Sequence, residues 1–317
     1  MSKVLVTRCL PQPGLDRLRE VFDEVVVFTE DRDMTKAEII SALPGCDVII
    51  PMLTNPIDLE VMDASPALKG ICNYAAGFNN IDLGTAKQRG IVVTNTPDAL
   101  TESTADLTWA LLMAAARRLP EGERIMRKGE FRGWEPMLLL GQDIFGKTLG
   151  IIGLGRIGLA VAARALGFNM KILYYKSSGA VAHLPFAAEY VPLDGLLQCS
   201  DFVSIHTPLT PQTRHLIGER ELALMKSSAV LVNTARGPVV DEAALVKALQ
   251  EKRIFAAGLD VFEHEPELVP GLAELDNAVL LPHIGSASCE TRTAMALLAA
   301  DNAIAVLQGK PPLTPVF

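Results

Sequence analysis

Short apolar, β-branched runs alternate along this chain with longer stretches of helical spacing. In the first third, Lys3–Thr7, Glu24–Phe28, Val48–Pro51, Gly70–Asn73 and Ile91–Thr94 predict strands. Further on, Thr148–Ile152, Lys171–Tyr175, Phe202–His206, Ala229–Asn233, Ala256–Asp260 and Ala278–Leu281 do the same. Most of these runs lack in/out alternation, which predicts strands covered on both faces by helices. Strands with helical segments between them predict parallel sheets wound by helices, an α/β fold. Two long segments break the rhythm. Thr101–Arg118 is an alanine-rich helix with Thr101 as its cap. Ala287–Gln308 is its counterpart, stopping at Gly309 before Pro311 and Pro312. Between Leu119 and Gly146 the periodicity is weak, and no sequence repeat stands out.

A length of 317 residues predicts two domains at roughly 150 residues each. A glycine-rich motif opening at Gly153 gathers the later strands into one sheet, giving a dinucleotide-binding domain at 100–284. The earlier strands form a second domain, 1–99, to which the final helix returns, adding 285–317 and making that domain discontinuous.

Composition narrows the function classes. The chain is 49% hydrophobic and 21% charged, enough apolar material to exclude overall disorder. A net charge of −8 without a lysine or arginine block gives no footprint for nucleic acid or an anionic membrane. No apolar stretch approaches the roughly 18 residues of a membrane span. The N-terminus begins with a strand-like segment instead of a signal peptide. Five scattered cysteines with no C-x-x-C spacing suit a reducing cytoplasm and argue against a disulfide framework or a structural metal.

The chemistry begins at Gly153-Leu154-Gly155-Arg156-Ile157-Gly158, which follows the strand Thr148–Ile152 and opens a helix. G-x-G-x-x-G in that setting predicts dinucleotide binding. Gly153 permits the tight turn, Gly155 the approach of a pyrophosphate, and Gly158 close helix–strand packing. An NAD site carries a carboxylate about 20 residues on, to take the ribose 2′-hydroxyl. Here Lys176, Ser177, Ser178 and Gly179 follow the strand Lys171–Tyr175. An ammonium with two hydroxyls suits a 2′-phosphate, so NADP is the expected cofactor, with NAD as the alternative. A solvated loop lysine is the plainer reading.

Ligands of a doubly wound sheet bind outside the carboxyl ends of its strands. Those ends carry His206, Asn233-Thr234-Ala235-Arg236-Gly237, Asp260 with Glu265 beyond it, and His283. His206 reads as a cofactor-wall residue. Hydride transfer to a carbonyl builds charge on its oxygen and needs a proton donor; a histidine beside a carboxylate suits that task. Arg236 offers a planar fork for a carboxylate next to the carbonyl. An arginine, a glutamate and a histidine brought together in this way read as 2-oxo acid reduction. On residue chemistry alone each has a plainer reading: a surface ion-pair partner for Arg236, a solvated acid for Glu265, a structural histidine for His283. The loop Met52-Leu53-Thr54 is small and apolar, without a second base to hold a phosphate, so Leu53 is expected to wall a site for short, uncharged tails.

Over nearly its whole length the chain resembles the D-isomer-specific 2-hydroxyacid dehydrogenases. The resemblance rests on Asn73-Tyr74-Ala75-Ala76-Gly77-Phe78-Asn79-Asn80-Ile81-Asp82, the Gly153–Gly158 turn and His206-Thr207-Pro208-Leu209-Thr210. It rests further on Asn233–Gly237, Asp260-Val261-Phe262 with Glu265-Pro266, and Pro282-His283-Ile284-Gly285. It implies two doubly wound parallel-sheet domains, one Rossmann-type for the nucleotide and one flavodoxin-like and discontinuous for the substrate. Arg236 is then the carboxylate anchor, Glu265 the partner of His283, and His283 the acid/base. The amides of Ala76 and Gly77 become carboxylate donors, and Asp260 the acceptor for the nicotinamide carboxamide. Thr104 lies near the nicotinamide ring, and Leu154, Arg156 and Ile157 line the pyrophosphate. Pro208, Thr213, Thr234, Ala235 and Gly285 complete the cofactor wall. Trp134 closes the substrate pocket, its own or a partner subunit's, or else packs a dimer.

The resemblance is closest to the glyoxylate/hydroxypyruvate reductases, implying a cytoplasmic homodimer that reduces a short 2-oxo acid, closing two domains near Thr101–Arg118. D-lactate or D-3-phosphoglycerate dehydrogenation is the alternative within the class. A dinucleotide-sensing co-repressor is the alternative outside it. Several positions depart from the family pattern. Asn79 stands where many relatives have Asp, and Ser177 where NADP-using relatives place Arg. Glu265 stands where formate dehydrogenases pair Gln with the catalytic histidine. No C-terminal regulatory domain of the kind found in some phosphoglycerate dehydrogenases follows before Phe317.

Overall fold

Apolar runs three to five residues long become buried strands, and the helices between them cover both sheet faces. The computed structural model describes all residues, Met1–Phe317. They divide into two units: Met1–Leu100 with Ser286–Phe317, and Thr101–Gly285.

The first unit runs β1 (Lys3–Val6), α1 (Gln12–Arg19), β2 (Glu24–Val27), α2 (Lys36–Ala42), β3 (Val48–Ile50), α3 (Leu59–Asp63), β4 (Gly70–Cys72), α4 (Leu83–Gln88) and β5 (Val92–Thr94). The second runs α5 (Thr101–Ala116), α6 (Leu119–Arg127), β6 (Thr148–Ile152), α7 (Arg156–Ala165), β7 (Lys171–Tyr175), β8 (Glu189–Tyr190), α8 (Leu193–Cys199), β9 (Phe202–Ile205), α9 (Glu219–Leu224), β10 (Val230–Asn233), α10 (Glu242–Gln250), β11 (Ala256–Leu259) and β12 (Ala278–Leu280). The last helix, α11 (Cys289–Leu307), belongs to the first unit.

Both sheets are wholly parallel. The first has the order β2-β1-β3-β4-β5 and the second β12-β11-β10-β9-β6-β7-β8. The first is the flavodoxin-like order, and the second contains the Rossmann order with one further strand, β12. In the second sheet the order reverses between β6 and β9, and a ligand crevice forms at such a switch point.

One structural device recurs in the two cores. Asp47, just before β3, accepts from the first amide of β1, Lys3 (2.9 Å), and pairs with Lys69 at 2.9 Å. Asp201, just before β9, accepts from the first amide of β6, Thr148 (2.9 Å), and pairs with Lys226 at 2.8 Å. In the first unit α11 packs on α1 so closely that a Cβ on Gly14 would lie 2.6 Å from that of Ala296. In the second, α5 lies along β10 and β11, and the Trp109 indole N–H donates to the Val161 carbonyl of α7 at 3.0 Å.

Some local expectations change. Thr101 is the first helical residue of α5 and not its cap, and α5 ends at Ala116, before Arg118 turns left-handed at φ 53°. The cap of α11 is Ser288, whose hydroxyl accepts from Thr291, so that helix begins later than its hydrophobic pattern suggests. Within the weakly periodic stretch lies α6, which has an apolar face but buries no residue in this chain. The edge strand β8 is two exposed residues and carries no hydrophobic pattern to read. No helix is long and apolar enough to cross a membrane.

Candidate active site

At the switch point, β6 gives way to Gly153, whose φ of 95° and neighbours together require glycine. A Cβ there would lie 2.7 Å from the His206 carbonyl carbon and from the Thr207 amide nitrogen. Gly158 faces the turn from α7, and its Cβ would lie 2.3 Å from the Gly153 carbonyl oxygen. Gly155 differs. It is the N-cap of α7, and nothing lies within 4 Å of its Cβ position. Having no side chain, it offers the first-turn amides no cap, so they and the positive end of the helix dipole stand ready for an anion. Leu154 is buried in the apolar core, so only its backbone can line this cradle.

After β7 the chain folds back in a turn closed by the Gly179 amide on the Lys176 carbonyl, 2.9 Å, with Ser177 and Ser178 exposed. After β9, the His206 ring nitrogen Nε2 lies 2.8 Å from the Ser204 hydroxyl, and desolvation pushes the imidazole down to about 3. The Thr213 hydroxyl ties its own turn, donating to the Pro208 carbonyl (2.6 Å) and accepting from the Thr210 amide (2.7 Å). Thr234 is buried, its hydroxyl 2.9 Å from that of Thr108 on α5. Thr104, also buried, packs beside Gly285.

Beyond β10 the chain bends around Asn233. Its side-chain amide donates to the Arg236 carbonyl (3.0 Å), and its oxygen accepts from the Ala235 amide (3.0 Å). Arg236 is partly buried and donates from Nη1 to the Ala235 carbonyl, 2.6 Å. Burial pulls its guanidinium below the usual arginine range, and Glu265 pulls it back. Glu265 accepts from the Phe262 amide (3.0 Å) through one oxygen, and its other lies 2.8 Å from His283 Nδ1. Burial works to raise the Glu265 carboxyl, but His283, the Phe262 amide and Arg236 outweigh it and hold it below the usual carboxylate range.

His283 sits in the left-handed region at φ 54°, a conformation that costs a non-glycine residue energy and persists only where its surroundings enforce it. Asp260 supplies that enforcement. It is 1% exposed, and its two oxygens accept from the amides of Ile284 and Gly285, each at 2.7 Å. Burial raises the Asp260 carboxyl against those bonds. Each oxygen keeps a second lone pair for another donor.

A family model for the NAD binding domain of D-isomer specific 2-hydroxyacid dehydrogenases matches residues 109–285. The chain belongs to that family. A glyoxylate reductase of Korarchaeum cryptofilum is 51% identical, over 98% of this chain and 94% of the relative. The crystal structure of a Thermus thermophilus protein, 48% identical, superposes with a TM-score of 0.93 over 99% of this chain and all of that one. An NADPH-dependent glyoxylate/hydroxypyruvate reductase of Sinorhizobium meliloti, crystallised with NADP and malonate, is 36% identical with a TM-score of 0.89, over 99% and 96% of the two chains.

A dehydrogenase of this family needs a nicotinamide dinucleotide, and the second unit fits one. The open Gly155 position and the uncapped first turn of α7 would hold its phosphates. Arg236, Glu265, His283 and Asp260, scattered in sequence, all belong to this same unit.

The first unit holds the loops after β3 and β4. The Asn73 side chain donates to the Gly77 carbonyl (2.8 Å) and that of Asn95 to the Ala76 carbonyl (2.6 Å). With the carbonyls held back, the amides of Ala76 and Gly77 have no acceptor in the chain. Met52, beside Leu53, is fixed through its amide by Thr7 (3.2 Å) and Asn55 (2.9 Å). Trp134 is 84% exposed.

Sequence reasoning passed over the asparagines that shape these dehydrogenase loops, although a signal was present. Asn73-Tyr74-Ala75-Ala76-Gly77 and Asn233-Thr234-Ala235-Arg236-Gly237 share the pattern N-x-A-x-G, each at the end of the strand two places from the first in its sheet, β4 from β1 and β10 from β6. Such an echo is too short to register as a repeat until topology aligns it.

Proposed function

We propose that this dehydrogenase reduces glyoxylate, hydroxypyruvate or a similarly short 2-oxo acid to the D-2-hydroxy acid, with NADPH preferred over NADH. The 2.8 Å bond between His283 Nδ1 and Glu265 carries this reading, since it leaves Nε2 as the titrating nitrogen. A carboxylate can only accept, so Nδ1 keeps its hydrogen throughout and the exchanged proton resides on Nε2.

A bound reduced nicotinamide supplies the hydride. Arg236 holds the substrate carboxylate by its fork and adds positive charge beside the keto oxygen. Ala76 and Gly77 supply amide donors to the same acid, and Leu53 walls its short tail. As the oxygen gains charge, His283 Nε2 gives it a proton and Glu265 stabilises the imidazolium that makes this possible. In the oxidative direction, neutral Nε2 takes the hydroxyl proton. Asp260 keeps His283 in its strained conformation and offers its remaining lone pairs to the carboxamide. Gly153–Gly158 holds the pyrophosphate, with Thr104, Pro208, Thr213, Thr234, Ala235 and Gly285 on the wall around it. Lys176 and Ser177 meet the 2′-phosphate, a reading supported by the NADP in the S. meliloti relative. The first unit serves the substrate and the second the dinucleotide.

We further infer a homodimer. Its contact surface is α6 and the stretch after it, where Leu119, Met126, Phe131, Trp134 and Met137 are all at least half exposed. Trp134 then meets the partner subunit. Five unpaired cysteines suit the reducing cytoplasm.

Replacing His283 by Ala tests the assignment. Turnover should fall about 10²- to 10⁴-fold, with NADPH affinity by fluorescence titration unchanged. Turnover within a few-fold of the parent would refute it. A panel of glyoxylate, hydroxypyruvate, pyruvate and 3-phosphohydroxypyruvate with each cofactor ranks the substrates, and a preference for the phosphorylated acid would overturn the short-tail reading.

A further inference from the structure

Glu263 takes no part in the proton transfer above, yet several groups converge on it. One of its oxygens accepts from the Glu242 amide at 3.0 Å, while its own amide donates to the Glu242 carboxylate at 2.6 Å. The two glutamates thus form a reciprocal clasp of amide and carboxylate. Glu242 is 3% exposed and is the first residue of α10, so Glu263 brings negative charge to a helix end whose dipole favours it. Its other oxygen lies 2.9 Å from His215 Nε2, with the Arg214 guanidinium at 3.7 Å. Burial works to raise the Glu263 carboxyl, but the Glu242 amide and His215 outweigh it.

The polar bonds inside the Phe262–Glu267 loop are local. Phe262 donates to Glu265, and the Glu267 amide to the His264 carbonyl. These bonds shape the loop without tying it to the rest of the unit. The clasp does tie it. Beside the clasp, a Cβ on Gly237 would lie 1.9 Å from the Phe262 carbonyl carbon, so the backbone after Arg236 runs directly against the peptide that leads into Glu263.

We propose that Glu263, clasped to Glu242 and paired with His215, is a positioning residue that fixes Glu265 against His283. The inference rests on the reading of Glu265 and His283 as the proton-donating pair. Hydrogen bonds weaken beyond about 3.2 Å, and a misplacement of about 1 Å can cost about 10²-fold in rate, so a drifting loop would tell in turnover.

Three variants test it: Glu263→Ala, Glu263→Gln and His215→Ala, each with its melting temperature. Glu263→Ala should lose about 10- to 100-fold in kcat, with the KM for the 2-oxo acid nearly unchanged. NADPH affinity should hold. Glu263→Gln keeps an oxygen for the Glu242 amide and should recover most of the loss. His215→Ala removes only the outer ion pair, so it should fold even where Glu263→Ala does not, and show a smaller loss in the same direction. An active parent whose Glu263→Ala and His215→Ala variants keep its kcat, melting earlier only, overturns the inference alone. A parent inert toward every 2-oxo acid overturns it together with the reading beneath it.

Discussion

Single residues decide two properties of this protein. The first is the proposed coenzyme preference, which rests on Lys176 and Ser177 standing after β7 where a carboxylate would favour NAD. Lys176→Asp should move the ratio of kcat/KM for NADPH over NADH by tenfold or more toward NADH, the worth of one charge-assisted bond of about 1.5–3 kcal/mol. An unchanged ratio would remove the 2′-phosphate from the reading. The second is behaviour in acid. Desolvation holds the His206 imidazole near 3 in the folded chain, against an ordinary value of about 6.5 when unfolded. Between those values the unfolded chain binds a proton that the folded one refuses, so stability is full above about pH 6.5 and falls by about 1.4 kcal/mol per unit below it. Urea titrations of His206→Gln should show an acid slope shallower by about one proton. A slope equal to the parent's would show that His206 takes up its proton as readily folded as unfolded.

Elements decide how those residues are held, and the glycines of the β6–α7 turn separate holding from folding. Gly155→Ala meets nothing in the chain and should leave urea stability unchanged while weakening NADPH binding, because the new methyl occupies the pyrophosphate's approach. Gly158→Ala drives a methyl onto the Gly153 carbonyl oxygen and should cost about 1–3 kcal/mol of stability. Equal destabilisation by both would show that Gly155 also serves packing. The turn itself was legible in sequence, because a strand, three spaced glycines and a helix lie within one short segment. The helix caps were less so. Thr101 and Ser288 both stand near a helix start, and only the bond from the Thr291 amide singles out the second as a cap. The asparagine-braced turns after β4 and β10 stayed hidden for a similar reason. An asparagine reads as loop chemistry until the carbonyl it holds is known.

At the scale of the whole molecule, the proposed dimer rests on the exposed apolar surface of α6 and the stretch after it. On α6 itself, Leu119 and Met126 are more than half exposed, and exposed apolar groups clustered in this way mark an interaction surface. Light scattering should give the mass of two chains, and Met126→Glu with Phe131→Glu should give one. A single-chain mass for the parent would overturn the dimer. In sequence α6 was passed over although it is amphipathic, because it is short, carries Pro120 and Gly122, and buries no residue in this chain.

By itself the sequence determined the parallel α/β character, the glycine-rich turn and the residue types of the proposed proton-donating site. These follow from hydrophobic runs buried on both faces, from glycines spaced within one turn, and from strand ends that the chain order makes explicit. The sequence also anticipated Glu265 as the partner of His283, but only the tertiary structure decided which ring nitrogen Glu265 meets, that Asp260 holds the backbone after His283, and that Glu242 and Glu263 clasp. Each of these joins groups from different loops, and a hydrogen bond forms or fails over a few tenths of an ångström, a scale that residue spacing along a chain does not carry.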